Sequence, residues 1–93
     1  MASFTVRVVL KDADWEEYKI LYASMESEGF TDIIKSSDGI KYKMPDGEYN
    51  INRDLTKSDI MNKVKRAANK TGVEYAIFIT HSSGRQWYGL DKA

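Results

Sequence analysis

Phe4-Thr5-Val6-Arg7-Val8-Val9-Leu10 alternates its side chains in a way only an extended chain can use. Phe4, Val6, Val8 and Leu10 fall on one side of it, and Thr5, Arg7 and Val9 on the other. That is the period-two pattern of a strand with one buried face. Lys11-Asp12 stops the run, so the rest of the chain must supply what covers the apolar side and what pairs with the two edges.

The cover comes next. Asp14 can cap a helix, and Glu17 three residues on can reach back to the cap's own N–H, a capping box. Trp15, Tyr18, Leu21, Tyr22 and Met25 then share one stripe, with Glu16, Glu17 and Lys19 opposite. Gly29 offers the left-handed residue that ends a helix, and Phe30 can fold back onto Met25. Thr31 to Lys35 reads as a short strand around Ile33 and Ile34. Ser37-Asp38-Gly39 carries hairpin turn chemistry. Ile40, Tyr42 and Met44 form the returning strand. Pro45-Asp46-Gly47 interrupts it, because proline has no N–H for a ladder. Tyr49 and Ile51 alternate again, so residues 45–53 either continue a bulged strand or make an edge hairpin.

A second helix opens on Thr56 as cap, Asp59 at its third position and Leu55 stapled toward Ile60. Ile60, Val64, Ala67 and Ala68 turn inward, while Lys57, Lys63, Lys65, Arg66 and Lys70 turn outward. Gly72 ends it. Val73 to Thr80 is a strand rich in aromatic and β-branched residues, Ser82-Ser83-Gly84 turns the chain, and Gln86-Trp87-Tyr88 can add a short fifth strand. The order βαββαβ predicts a single α+β domain over residues 1–93 of the ferredoxin-like type. Its four-stranded antiparallel sheet would carry both helices on one face. The reverse face is left for solvent or a partner.

Composition narrows the setting. The chain has 93 residues, 42% hydrophobic and 30% charged, which suits a folded domain rather than a disordered one. It has no cysteine, so disulfides and thiolate metal sites are excluded and a reducing compartment is expected. The amino terminus lacks the pattern of a signal peptide, and no segment is long and apolar enough for a membrane span, so a cytoplasmic location is expected without membrane partners. Charge is uneven: seven basic residues face eleven acidic ones up to Asp54, and seven face three from Leu55 onward. This split permits a nucleic-acid surface on the second half, and equally the electrostatics of a homodimer or a protein partner.

Five groups of residues can carry chemistry, each beside a structural alternative. Asp12 and Asp14, where the first strand ends, can hold a divalent metal, or serve the helix amino terminus. Arg7, on the open face, can contact a phosphate in bidentate fashion, or pair with an acid such as Glu74. His81 is the single histidine and lies near Ser82, Ser83 and Arg85. It can act as general base toward a ribose 2′-hydroxyl, or be a solvated loop residue. Lys57, Lys63, Lys65, Arg66 and Lys70 can track a phosphate backbone, or form a solvated helix face. Trp87 and Tyr88 can stack on unpaired bases beside Arg85, or complete a core or dimer edge. No phosphate loop, dinucleotide motif or nucleophile elbow occurs, so the residues ask for no cofactor.

Nearly the whole chain, from Phe4-Thr-Val-Arg-Val-Val-Leu10 to Gly84-Arg-Gln-Trp-Tyr-Gly-Leu90, resembles small enterobacterial and prophage proteins of the GhoS antitoxin family. The helix ending in Met25-Glu-Ser-Glu-Gly-Phe30 and the Lys43-Met-Pro-Asp-Gly-Glu-Tyr49 turn carry the likeness best. The resemblance implies a ferredoxin-like fold similar to the small CRISPR-associated nucleases. It also implies an endoribonuclease that cleaves a toxin's messenger RNA, the type V toxin–antitoxin mode. Its motifs are structural, and the first helix offers Lys19 and is otherwise acidic, so no catalytic residue follows from it. On the residues alone, an RNA-cleaving enzyme would use Arg7, Asp12 and His81, with Arg85 and the basic helix holding phosphates. A magnesium ion enters only if the chain is a nuclease. The alternative is a non-catalytic interaction module that binds a protein or itself.

Overall fold

The amino-terminal alternation does form a central strand. β1 spans Ser3–Leu10, in a computed structural model that describes residues 3–93. Phe4, Val6, Val8 and Leu10 are each 5% exposed or less. The element order continues with α1 (Trp15–Ser27), β2 (Ile33–Lys35), β3 (Lys41–Lys43), β4 (Glu48–Asn52), α2 (Lys57–Asn69) and β5 (Tyr75–Ser82). β4 and β5 flank β1, both antiparallel to it, giving the order β4-β1-β5.

Both helices start where their caps predict. The Asp14 carboxylate accepts from the Glu16 N–H at 3.0 Å and the Glu17 N–H at 3.4 Å, and Glu17 Oε1 accepts from the Asp14 N–H. Thr56 and Asp59 repeat the arrangement at α2, with both bonds at 3.1 Å. At the end of α1 the Phe30 N–H reaches back to the Met25 carbonyl at 3.0 Å, closing the helix through Gly29. Leu21 and Met25 of α1 join Ile60, Val64, Ala67 and Ala68 of α2 in one core with the apolar side of β1. Both helices therefore cover that side. Trp15 departs from the expected stripe: it is 63% exposed, and Ser24 is buried in the helix instead.

The single four-stranded sheet expected from the sequence divides into two. The returning strand splits at Pro45-Asp46-Gly47, so β3 pairs only with β2 and β4 pairs with β1. Proline supplies no donor there, and the Glu48 N–H turns back onto the Pro45 carbonyl at 3.0 Å. Gly47, at φ +82°, lets the turn close against β1, where the Val8 N–H donates to its carbonyl at 2.8 Å. The open choice at residues 45–53 thus resolves as a break between two pairings. One isolated bridge, Thr31 to Asn50, links the β2–β3 hairpin to β4.

Gln86-Trp87-Tyr88 is not a strand. The segment after β5 instead crosses to β3, where the Lys43 N–H donates to the Asp91 carbonyl at 2.9 Å and the Ala93 N–H to that of Lys41 at 3.1 Å. Its single bridge is Tyr42 to Lys92. Among the described residues no helix is long and apolar enough to cross a membrane.

Candidate functional site

Strand pairing fixes which side chains share the face that the helices leave uncovered. Arg7 stands opposite Glu48 on β4 and Phe78 on β5, Thr5 opposite Asn50 and Thr80, and Val9 opposite Ala76. Directly opposed residues in a ladder lie on the same face, so these rows form one surface. Phe78 is 71% exposed and Val9 42%. A large aromatic ring exposed beside an arginine on an uncovered sheet face is a feature that marks a contact surface. Arg7 enters none of the ion pairs among the described residues. The alternative pairing of Arg7 with Glu74 does not form: Glu74 aligns with Lys11, whose N–H donates to its carbonyl at 2.8 Å.

Arg85 closes one end of this face. Its Nε donates to Thr5 Oγ1 at 2.9 Å, and its Nη2 donates to Ser3 Oγ at 3.3 Å and to Asn50 Oδ1. Burial lowers the guanidinium pKa from its ordinary value, with nearby Glu48 acting in the opposite sense. Arg85 is thereby committed to neutral acceptors of the fold and acts as a clasp between the carboxy-terminal segment and the sheet. Trp87 follows it and packs edge-on against Tyr42, ring centres 5.6 Å apart. Tyr88 is fully exposed. Between this segment and the sheet runs a cleft of about 580 Å³, lined by Thr5, Glu48, Thr80, Met44, Trp87 and Leu90 among others.

The three residues expected to act together are not brought together. His81 pairs with Phe4 and stacks on its ring at 5.0 Å, on the helix side of the sheet, whereas Arg7 lies on the other side. Asp12 follows the far end of β1, in a tight turn at φ +52°. The strand from Phe4 to Leu10 alone separates the two ends by about 20 Å. Asp14 is occupied as the cap. Among the described residues no three histidine or carboxylate side chains converge as metal ligands, so no residue set for magnesium is assigned.

The basic helix is partly spent on structure. Glu28, at the end of α1, accepts from Arg66 Nη2 at 2.9 Å and Arg66 Nε at 3.3 Å, and sits 3.7 Å from Lys63 Nζ. The Arg66 hydrogen bonds hold the Glu28 carboxyl below its usual range. Lys57, Lys65 and Lys70 stay exposed, but on the helix layer, away from Arg7 and Phe78. The expected nucleic-acid residues therefore occupy two sides of the molecule. Phe78 was missed in sequence because every second residue from Tyr75 to Ile79 is apolar on both faces, leaving no alternation to read. Only the partner strand, where Arg7 opposes it, marks its side.

No protein-family model matches this chain, and no curated protein matches it.

Proposed function

We propose that this chain is an RNA-directed protein whose uncovered sheet face receives single-stranded RNA. The observation that carries the reading is the exposed Phe78 ring directly across from Arg7 on β1. An unpaired base presents a flat apolar face to an aromatic ring, and a neighbouring arginine takes the phosphate; sheet-borne aromatics bind single strands in this way. Thr5, Thr80 and the exposed Tyr88 extend the surface along the cleft. The order β5-β1-β4, with the Thr31–Asn50 bridge leading to the hairpin, supports a ferredoxin-like arrangement. The likeness to the GhoS family supports cleavage of a toxin messenger RNA in the cytoplasm as the reaction. That step is assigned to no residue here, since Arg7, Asp12 and His81 do not share a centre.

The test is binding of a fluorescent single-stranded oligoribonucleotide, read by anisotropy at low and moderate salt, with a gel assay for cleavage with and without magnesium. Phe78→Ala is expected to weaken binding roughly ten-fold or more. Arg7→Ala should weaken it across sequences and reduce the salt slope by about one. Absence of binding at low salt, or both variants binding like the parent chain, removes the proposal.

A second reading rests on the free edge of β5. The Lys11–Glu74 bond directs Glu74 toward β1, and alternation then turns the backbone groups of Tyr75, Ile77, Ile79 and His81 outward. An exposed, uncharged edge favours pairing with a second copy. Sedimentation across a range of concentrations separates this reading: a concentration-dependent dimer without RNA binding favours the non-catalytic module.

A further inference from the structure

The break between the two sheets leaves a cleft of about 520 Å³ between the β2–β3 hairpin and β4. Thr31 and Asn50, whose bridge joins the hairpin to β4, both line it. Lys35, Lys41 and Arg85 line it with them, and no aspartate or glutamate does. Lys35 stands directly opposite Lys41 in the β2–β3 ladder, and like charges so placed destabilise a strand pair. Both lysines are exposed, and neither enters an ion pair among the described residues. Ala93, also in the wall, gives its N–H to the Lys41 carbonyl and enters no ion pair either. Glu48 acts on Arg85 from outside this cleft.

Two donors in the same wall are left over. Arg85 gives its Nε and Nη2 to the fold, which leaves Nη1 without a partner among the described residues. Asn50 is 5% exposed, and its side-chain oxygen accepts from Arg85 Nη2 and from Ser3 Oγ. A guanidinium can only donate, so the end of the amide that faces Arg85 is the oxygen. The Asn50 nitrogen, at the other end, donates to nothing among the described residues. It is not sealed in: of the buried side-chain polar atoms described, only the Tyr49 hydroxyl is both unpaired and cut off from solvent. The nitrogen therefore keeps an accessible surface, and it is this cleft that Asn50 lines. A nearly buried amide left unpaired costs stability until an acceptor reaches it.

We infer that this cleft binds a phosphate monoester as its dianion. A phosphoryl group brings three strong acceptor oxygens, which suits donors arriving from Lys35, Lys41, Arg85 Nη1 and the Asn50 amide. Its two charges also relieve the repulsion between the facing lysines. A phosphodiester or a carboxylate carries a single charge and satisfies fewer of these donors. The cleft lies beyond β4, and Phe78 stands on β5 across the central strand, so its occupancy does not depend on the Phe78 ring.

The test follows the isotope-labelled full chain by NMR at about pH 8, where a monoester is a dianion. Methyl phosphate, dimethyl phosphate and sodium chloride of matched ionic strength are titrated in turn. Methyl phosphate is expected to shift the Asn50 side-chain NH2 pair and the Lys35 and Lys41 amides saturably, and dimethyl phosphate to bind roughly ten-fold more weakly. Lys35→Gln and Lys41→Gln, both at exposed positions, should each weaken methyl phosphate roughly ten-fold. Lys57→Gln, the same loss of charge on α2, should leave it unchanged, as should Phe78→Ala. The last variant keeps this inference separate from the RNA reading, since either can fail while the other stands. A 5′-phosphorylated oligoribonucleotide is then compared with its 5′-hydroxyl counterpart. Tighter binding of the first, lost in Lys35→Gln, identifies an RNA terminus as the source of the phosphate, and equal binding a small phosphate monoester; both support the inference. No saturable shift, an equal response to dimethyl phosphate or sodium chloride, or an equal loss with Lys57→Gln overturns it.

Discussion

Replacing Gly47 with alanine adds a methyl group in the one turn that splits the returning strand. At φ +82°, an L side chain there costs about 1–2 kcal/mol, offset by about 0.4–1 kcal/mol from the stiffer unfolded chain. Gly39, at φ +86° in the hairpin turn, shares those two terms. It differs in its surroundings: a Cβ on Gly39 meets nothing within 4 Å, whereas one on Gly47 lies 3.0 Å from the Val8 carbonyl oxygen. That oxygen is backbone of the central strand and cannot swing aside. Relief would stretch the 2.8 Å bond from the Val8 N–H to the Gly47 carbonyl, and crowding of this kind costs roughly 1–3 kcal/mol more. Gly39→Ala should therefore lose roughly 0.5–1 kcal/mol, and Gly47→Ala about 2–4 kcal/mol. For a chain of this size the second loss lowers the melting temperature by roughly 10–20 °C. Urea unfolding followed by circular dichroism measures both, with an unchanged m-value showing that the unfolded state is comparable. If the two variants agree within about 0.5 kcal/mol, the Gly47 turn does not press on β1, and the account of the split sheet fails.

Leu21→Ala should cost about 2–5 kcal/mol, because Leu21 is fully buried between the helices and β1, whereas Ile20→Ala on the exposed face should change little; urea midpoints distinguish them. Asp14, Glu28, Asp38 and Asp59 all titrate below their ordinary values, through hydrogen bonds from Glu17, Arg66, Ser36 and Thr56 respectively. The unfolded chain therefore takes up protons first, and stability should hold above the usual carboxylate range and fall as pH drops below about 4. Glu17, raised by its bond with Asp14, runs the other way, its contribution fading as pH rises through its elevated pKa. Stability that stays flat down to about pH 2.5 would contradict these assignments. Arg85→Ala should release the carboxy-terminal segment and speed amide exchange at Lys43 and Ala93 while leaving Val6 and Val8 protected; unchanged exchange at Lys43 and Ala93 would deny the clasp.

The elements legible in the sequence are those fixed by neighbours in the chain. Asp14 with Glu17, Thr56 with Asp59, and Gly29 with Phe30 settle both helices within a few residues, and local hydrogen bonds need no tertiary context. The alternation from Phe4 to Leu10 likewise marked its own buried face. What was hidden depends on distant partners. Arg85 reads as a free cation until Thr5 and Asn50 arrive beneath it, and Arg66 until Glu28 meets it from 38 residues away. Trp15 fits a helical stripe by spacing, but it is the first residue of α1 and stays mostly exposed. Gln86-Trp87-Tyr88 has strand-forming residues, yet Trp87 meets β3 only through its ring, against Tyr42, and the backbone bonds of β3 to this segment go to Asp91 and Ala93. Phe78 is the most consequential miss, since its own strand is apolar on both sides and only Arg7 across the ladder reveals which side faces outward.

The most direct trial is a titration of isotope-labelled chain with a short single-stranded oligoribonucleotide at low salt, following every backbone amide by NMR. Shifts gathered at Thr5, Arg7, Ala76, Phe78 and Thr80 are the predicted result. Shifts confined to Lys57, Lys65 and Lys70 on α2, or none at all, would contradict the claim that the helix-free face is where RNA lies.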